Sequence, residues 1–227
     1  MKLQNKFVIV LSLLFSFSCK TGTEINATSP NNEKRAADLP KNIIFMVGDG
    51  MGLTQITAGM IGNNNKLHLE EFKHIGLSKT TSTSGLVTDS AAGATAFSAG
   101  KKTYNGAIGV DNDTTSVETI LEIAGKGIYS TGIIATSSIT HATPASFYAH
   151  QPSRSMDEAI AMDMLSAPVD FFVGGGKDFF SKRKDKLNLL DSLNARGFHI
   201  FDDVDAVSTP FDDKIAVFIA AKQPESI

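Results

Sequence analysis

The sequence lacks several features that would assign it to common classes of protein. Its 227 residues contain one cysteine, so no intrachain disulfide can form. The formal net charge of −3 gives no electrostatic basis for binding nucleic acid. No apolar run reaches the roughly 20 residues that a membrane-spanning helix needs. The composition, with 42% hydrophobic and 20% charged residues, is that of an ordinary globular fold.

The N-terminus predicts export. Residues 1–18 combine the two lysines of MKLQNK with the short apolar core FVIVLSLLFSF, which is typical of a secretory signal. Cys19 follows directly and resembles the cysteine of a bacterial lipobox, which is lipidated after cleavage. We therefore expect a periplasmic or outer-membrane-anchored lipoprotein. The alternative is plain cleavage near Ser18, which would leave a free thiol.

The rest of the chain predicts a tether followed by one α/β domain. Residues 19–40 are polar and without periodicity, as expected of a flexible tether. From Lys41, apolar runs that suit buried strands alternate with segments of helical spacing: NIIFMV, MGLTQITAGMIG, SVETILEIAGKG, residues 128–136, SMDEAIAMDMLSA, PVDFFVGGG, KDKLNLLDSLNARG and KIAVFIA. This alternation predicts a mostly parallel central sheet with helices on both faces. The sequence stops just past the last strand, which we interpret as a domain incomplete at its C-terminus.

Three polar features follow predicted strands, where ligands of parallel sheets collect. The first is Asp49 in VGDGMG, between glycines that would let the backbone approach a charged ligand. Its alternative role is to cap the next helix. The spacing is not the G-x-G-x-x-G of a dinucleotide site.

The second feature is Asp89-Ser90 in VTDSAAGATA. At a helix N-terminus, the Ser90 oxygen would lie near amide groups that favour an anion or a developing alkoxide. The alternative is that Ser90 is only the helix cap. No G-x-S-x-G elbow is present, so a serine nucleophile here would need another activator, chiefly a metal ion.

The third feature is SITHATPASFYAHQPSR. His141 and Thr143 are two residues apart, which places them on one side of an extended segment, and Pro144 is expected to keep Thr143 out of helical geometry. Arg154 has a forked guanidinium suited to phosphate. Taken singly, a buried hydrogen-bonded histidine and a surface arginine are the simpler interpretations.

Together these segments resemble the alkaline phosphatase family. The resemblance lies in IIFMVGDGMG, in GLVTDSAAGATAFSAGKKTYNGAIGV, in THATPASFYAH with Arg154, and in PVDFFVGGGKDF, and it runs from about Lys41 to about Ala221. It implies hydrolysis of small phosphate monoesters with broad specificity. Ser90 stands where the family's serine attacks phosphorus and becomes phosphoserine. Asp89 stands where an acid holds the phosphate-binding arginine, here Arg154.

The resemblance also implies a cluster of two Zn²⁺ ions and one Mg²⁺ ion. Asp49 stands where an aspartate bridges a zinc and the magnesium, Ser90 is a zinc ligand, and Thr143 stands at a magnesium ligand. His141 stands where some members have Asp and others His, which leaves the third metal's identity open. Family members are commonly dimers, so a homodimer stays open as well, although the sequence has no interface signature.

The remaining ligands of such a cluster have no counterpart here. The family takes them from its second half, as Glu, Asp and His residues, whereas none of the five histidines of this chain lies in an Asp-x-x-x-His or Asp-His arrangement. Our hypothesis is therefore that the sequence is the N-terminal part of an alkaline phosphatase and is nearly inactive alone.

Three alternative interpretations account for parts of the sequence. A sulfatase-like member of the same superfamily would need a C/S-x-P-x-R context, whereas Ala91-Ala92-Gly93 follows Ser90. A non-catalytic surface lipoprotein could bind phosphate or a partner through the Ser90 and Arg154 pocket. A Rossmann-like domain of unknown role does not account for the length of the Ser90 segment match.

Overall fold

The computed structural model describes residues 41–127, 129–207 and 214–225. The predicted signal sequence, the lipidation site Cys19 and the predicted tether lie outside these residues. The chain divides into two compact units, 1–47 and 48–227, and the described helices and strands all lie in the second. None of the helices in the described ranges has the length and apolarity required to cross a membrane.

The second unit contains a parallel sheet of four strands. These are β1 (Gly132–Ser138), β2 (Phe171–Gly175), β3 (Phe198–Phe201) and β4 (Lys214–Ala220), in the order β1-β2-β4-β3. All three pairings are parallel. The predicted α/β class with a parallel sheet is therefore confirmed.

Helices lie between β1 and β2 and between β2 and β3, as is usual for parallel pairing. The described α-helices are α1 (Leu53–Gly62), α2 (Ser90–Ala99), α3 (Ile120–Gly125), α4 (Ala142–Ala145), α5 (Asp157–Asp163), α6 (Asp178–Ser181) and α7 (Leu189–Ala195), and a short 3-10 helix spans His68–Glu71.

The core lies on both faces of the sheet, because alternate strand residues point in opposite directions. Phe172 and Phe218 belong to the larger cluster, and their rings meet edge to face at 5.4 Å between centroids. Val173 and Val217 belong to a smaller cluster. Apart from Lys214 at the start of β4, both strands are thus apolar along their length, which is the pattern that made them recognisable in the sequence.

One expected strand is absent, and one observed strand was not expected. Residues 42–47 form no strand, and the side chains of Ile43, Ile44 and Met46 are exposed. An apolar run favours extended structure, but a strand also needs a hydrogen-bonded neighbour, and the four-stranded sheet does not include this run. The strand β3 is not predicted by the sequence, because its four residues are too few to show a clear period.

Candidate active site

The Asp49 carboxylate joins two hydroxyl groups that are distant in sequence. Ser90 Oγ donates to Asp49 Oδ1 at 2.8 Å, and Thr143 Oγ1 donates to Asp49 Oδ2 at 2.7 Å. Asp49 does not cap the next helix, because α1 begins after Gly52. The arrangement leaves one carboxylate facing both a candidate nucleophile and a candidate metal-binding hydroxyl.

Ser90 is the first residue of α2, and its neighbour provides the cap. The Asp89 carboxylate accepts a hydrogen bond from Ala92 N at 3.0 Å, as an N-cap residue does. Capping by Asp89 leaves the Ser90 hydroxyl free to turn toward Asp49. The alternative interpretation, in which Ser90 is only a cap, is therefore wrong.

The small residues of α2 let it pack closely beneath this site. Ala91, Ala92 and Ala94 are buried, with exposed fractions of 0%, 3% and 2%. The Ser146 hydroxyl, which follows α4, lies against the Ala91 carbonyl. A side-chain hydroxyl thus joins the segment after α4 to the backbone of α2.

Thr143 lies in a helix rather than in an extended segment, which corrects the sequence-based expectation. It is the second residue of α4, after His141 at the N-cap position with φ −60° and ψ 150°. Pro144 occupies the third position of the helix. Proline is tolerated in the first turn because its missing N–H has no partner there in any case.

Arg154 is held by two of the predicted site residues. Its Nη1 donates to Asp89 Oδ2 at 3.1 Å, and its Nη2 lies 3.3 Å from His141 Nε2. Since an arginine can only donate, His141 Nε2 accepts and a neutral His141 ring carries its proton on Nδ1. Asp89 therefore caps α2 with one oxygen and orients Arg154 with the other.

The electrostatics of the site keep its carboxylates ionised. Partial burial alone would raise the pKa of Asp49, but the hydroxyls of Thr143 and Ser90, with the charge of Arg154 and that of His141 when it is protonated, lower it overall. The pKa of Asp89 is also lowered: burial opposes this, while hydrogen bonds from Ala92 N and Arg154 outweigh burial.

The His141 ring is biased toward its neutral form. Burial and the nearby Arg154 charge lower its pKa, against the opposing effects of Asp49 and Asp157. A neutral imidazole retains a lone pair that can accept a hydrogen bond or bind a metal ion.

A cavity of about 350 Å³ opens beside His141 and Arg154 at the carboxyl ends of the strands. Asp157, Lys222 and Gln223 contribute to its lining. These three were absent from the sequence-based site. Lys222 and Gln223 follow β4 directly, so the rule that places ligands beyond parallel strands could have indicated them.

Comparison with known proteins identifies the family. The family model for alkaline phosphatase matches residues 40–214. The chain belongs to the alkaline phosphatase family. Alkaline phosphatase 3 of Bacillus subtilis is 40% identical over an alignment of 210 residues. The alignment covers 86% of this chain and 45% of that protein.

Solved alkaline phosphatase structures agree. The enzyme from the Antarctic bacterium TAB5 superposes with a TM-score of 0.77 at 45% identity, over 82% of this chain and 55% of that one. A histidine-to-glutamate mutant of that enzyme, solved with Mg bound in its M3 site, gives a TM-score of 0.76 at 46% identity, over 82% and 54% of the two chains. The present chain thus spans about half the length of the alkaline phosphatases it resembles.

The candidate site offers some of the ligand atoms that a metal ion needs. Asp49 and Thr143 offer the oxygen ligands that Mg²⁺ prefers, and His141 offers a nitrogen. Within residues 41–127, 129–207 and 214–225, no three His, Cys, Asp or Glu side chains form a metal-binding group. A catalytic zinc site takes three protein ligands, so these ranges contain part of such a site only.

Proposed function

We propose that this chain takes part in the hydrolysis of phosphate monoesters, with Ser90 as the nucleophile and a phosphoserine intermediate. One observation carries the proposal. Asp49 binds the hydroxyls of both Ser90 and Thr143, while Asp89 turns Arg154 toward the same side. A nucleophile, an anion-binding fork and an ionised carboxylate are the parts that phosphoryl transfer needs.

The residues have distinct roles in this proposal. Ser90 Oγ loses its proton and attacks phosphorus, the bond from phosphorus to the ester oxygen breaks, and the leaving alcohol oxygen takes up a proton. Water then attacks the phosphoserine, which releases phosphate and restores the Ser90 hydroxyl. Arg154 binds the nonbridging oxygens, and the first amide groups of α2 add positive potential near Ser90. Asp49 is a poor acceptor for the serine proton, because its pKa is low, so its role is to orient Ser90 and to bind a cation.

A bound Zn²⁺ would supply the activation that Ser90 needs, because it would lower the pKa of the serine hydroxyl and offset the charge of the phosphate. Asp49, Thr143 and His141 are the residues of this chain that would hold the Zn²⁺ and Mg²⁺ ions. The site binds the phosphate group and contacts little of the rest of a substrate. We therefore propose broad specificity for small phosphate monoesters.

The test is to trap the phosphoserine. The full chain, supplied with Zn²⁺ and Mg²⁺, is incubated with a ³²P-labelled monoester and quenched in acid. We expect a labelled protein whose label is lost in Ser90→Ala and retained in Ser166→Ala, an exposed control serine. An equal label in wild type and Ser90→Ala would overturn the assignment of the nucleophile.

A second candidate function is binding of phosphate or a partner without turnover, by a surface lipoprotein. The incomplete set of metal-binding groups in the described ranges favours it. Phosphate binding that survives a chelator, with no trapped phosphoserine, would support this candidate over the enzyme.

Export and lipid anchoring belong to the same proposal. The apolar N-terminal core followed by Cys19 supports them. Incorporation of labelled palmitate in the source cell, abolished by Cys19→Ala, is the expected result. A secreted, unlabelled protein would contradict the anchor.

A further inference from the structure

His150 lies between two hydrogen-bond acceptors outside the site described above. Its Nδ1 is 2.6 Å from the carbonyl oxygen of Gly109, and its Nε2 is 3.0 Å from Oε1 of Glu122. A carbonyl oxygen only accepts, and so does an ionised carboxylate. Both ring nitrogens must therefore donate, and the geometry corresponds to an imidazolium cation.

The charges around His150 agree with this protonation state. Glu122 from α3 and Asp163 from α5 are the charged groups that face the ring, and both are acidic. Burial alone would lower the pKa of His150, but the Gly109 carbonyl and these carboxylates raise it above the ordinary value. The side chains of His150 and Glu122 are only 20% and 17% exposed, so solvent screens the pair weakly.

The Gly109 carbonyl belongs to a loop that is shaped around His150. Gly109 has a φ of +56°, which favours glycine, and a Cβ at this position would collide with the Ala149 carbonyl. One residue earlier, Ile108 and Gln151 exchange two backbone hydrogen bonds at 3.0 and 2.9 Å. The loop and the residues after His150 thus form one paired unit.

The same loop positions both members of the Asp89–Arg154 pair. The Gly106 carbonyl accepts from Arg154 N at 2.7 Å, and Asn105 Oδ1 accepts from Asp89 N at 3.1 Å. The loop therefore connects the charge at His150 to the orientation of Arg154.

We propose that His150, as an imidazolium between Gly109 and Glu122, is a positioning residue for Arg154, and that loss of its proton weakens phosphate binding. The proposal rests on the proposed function, because it takes Arg154 as the phosphate-binding group. Deprotonation leaves one of two half-buried acceptors without a donor, which frees the loop at Gly109. The site would then bind phosphate less tightly as the pH rises through the titration of His150.

The first measurement needs no variant. The ring ¹⁵N signals of the five histidines are followed against pH in the full chain. The signals of His150 are assigned as those that disappear in the His150→Gln variant. Inorganic phosphate affinity is measured by calorimetry over the same range with Zn²⁺ and Mg²⁺ present. We expect both His150 nitrogens to be protonated at neutral pH, and the affinity to fall about tenfold as His150 titrates.

Glu122→Gln is the decisive variant. The glutamine keeps one oxygen that can accept from the ring, replaces the oxygen that accepts from Thr119 N with an amide NH₂, and removes the charge. We expect the midpoints of the His150 titration and of the affinity change to move together to lower pH. Glu71→Gln is the matched control, because Glu71 pairs with His68 at 2.9 Å on the surface, where these side chains are 76% and 99% exposed. It should move neither midpoint.

Three results would overturn the proposal. These are a singly protonated His150 at neutral pH, a phosphate affinity that ignores the His150 titration, and equal effects of the two glutamine variants. Hydrolysis of a phosphate monoester is measured separately. If phosphate binding follows the His150 titration but no ester is hydrolysed, the proposed function fails while the role of His150 stands.

Discussion

The Asp49 carboxylate and the Ser90 hydroxyl lie 2.8 Å apart although 41 residues separate them in sequence. The contact joins the loop before α1 to the first residue of α2. It exists because Asp89, the adjacent residue, caps the helix and leaves Ser90 free. Asp49 or Ser90 could each have served only as a helix cap. The observed caps are Gly52 and Asp89, so both of these alternatives are excluded.

Substitutions of Asp89 should separate its two roles. Asparagine caps helices about as well as aspartate, whereas alanine costs about 1 kcal/mol of stability. We therefore expect Asp89→Ala to lower the free energy of unfolding more than Asp89→Asn does. Both should weaken phosphate binding about tenfold, since neither holds the Arg154 guanidinium by charge. Urea unfolding and calorimetry check this, and equal losses of stability in the two variants would contradict the capping role.

The Thr143 hydroxyl should matter for cation binding. Thr143→Val keeps the shape of the side chain but removes the donor to Asp49, so we expect Mg²⁺ affinity to fall about tenfold. Thr143→Ser retains the hydroxyl and should stay close to wild type. Calorimetric titration with Mg²⁺ distinguishes the two, and a valine variant with unchanged affinity would exclude Thr143 from the metal site.

The low pKa of Asp89 predicts a specific sensitivity to acid. A carboxylate whose pKa is lower in the folded state stabilises the fold at pH values above its unfolded pKa, about 4. That contribution is lost as the pH falls through the folded pKa. The difference in unfolding free energy between wild type and Asp89→Asn should therefore be constant near neutral pH and change below about pH 4. If the difference in unfolding free energy stayed independent of pH down to about 2, the hydrogen bonds of ionised Asp89 would not stabilise the fold.

The tight packing of α2 predicts that larger side chains are not tolerated. Ala94 is 2% exposed, so Ala94→Leu should destabilise the fold by about 1–3 kcal/mol through overpacking. The control is Ala58→Leu on α1, where the residue is exposed and leucine is also a good helix former. Thermal unfolding of the two variants measures the difference, and similar melting temperatures would contradict close packing under Ser90.

The sequence by itself determined the class of fold and pointed to the candidate site residues other than Asp157, Lys222 and Gln223. Continuous apolar runs and glycine stops indicate buried strands and helix ends because these signals act over a few neighbouring residues. The resemblance in the segments around Asp49, Ser90 and Arg154 pointed to the family before any geometry was known. The family model for alkaline phosphatase matches residues 40–214 and so shows that the chain belongs to this family.

Only the tertiary structure decided how those residues are used. The exposed run at 42–47 has the composition of a strand, but pairing depends on neighbours that no local pattern specifies. The contacts of Asp49 with Ser90 and Thr143 and the acceptors on both sides of His150 are likewise set by hydrogen bonds between distant segments. Such hydrogen bonds require donor and acceptor atoms to lie about 3 Å apart, and the spacing of residues in the sequence does not predict these distances.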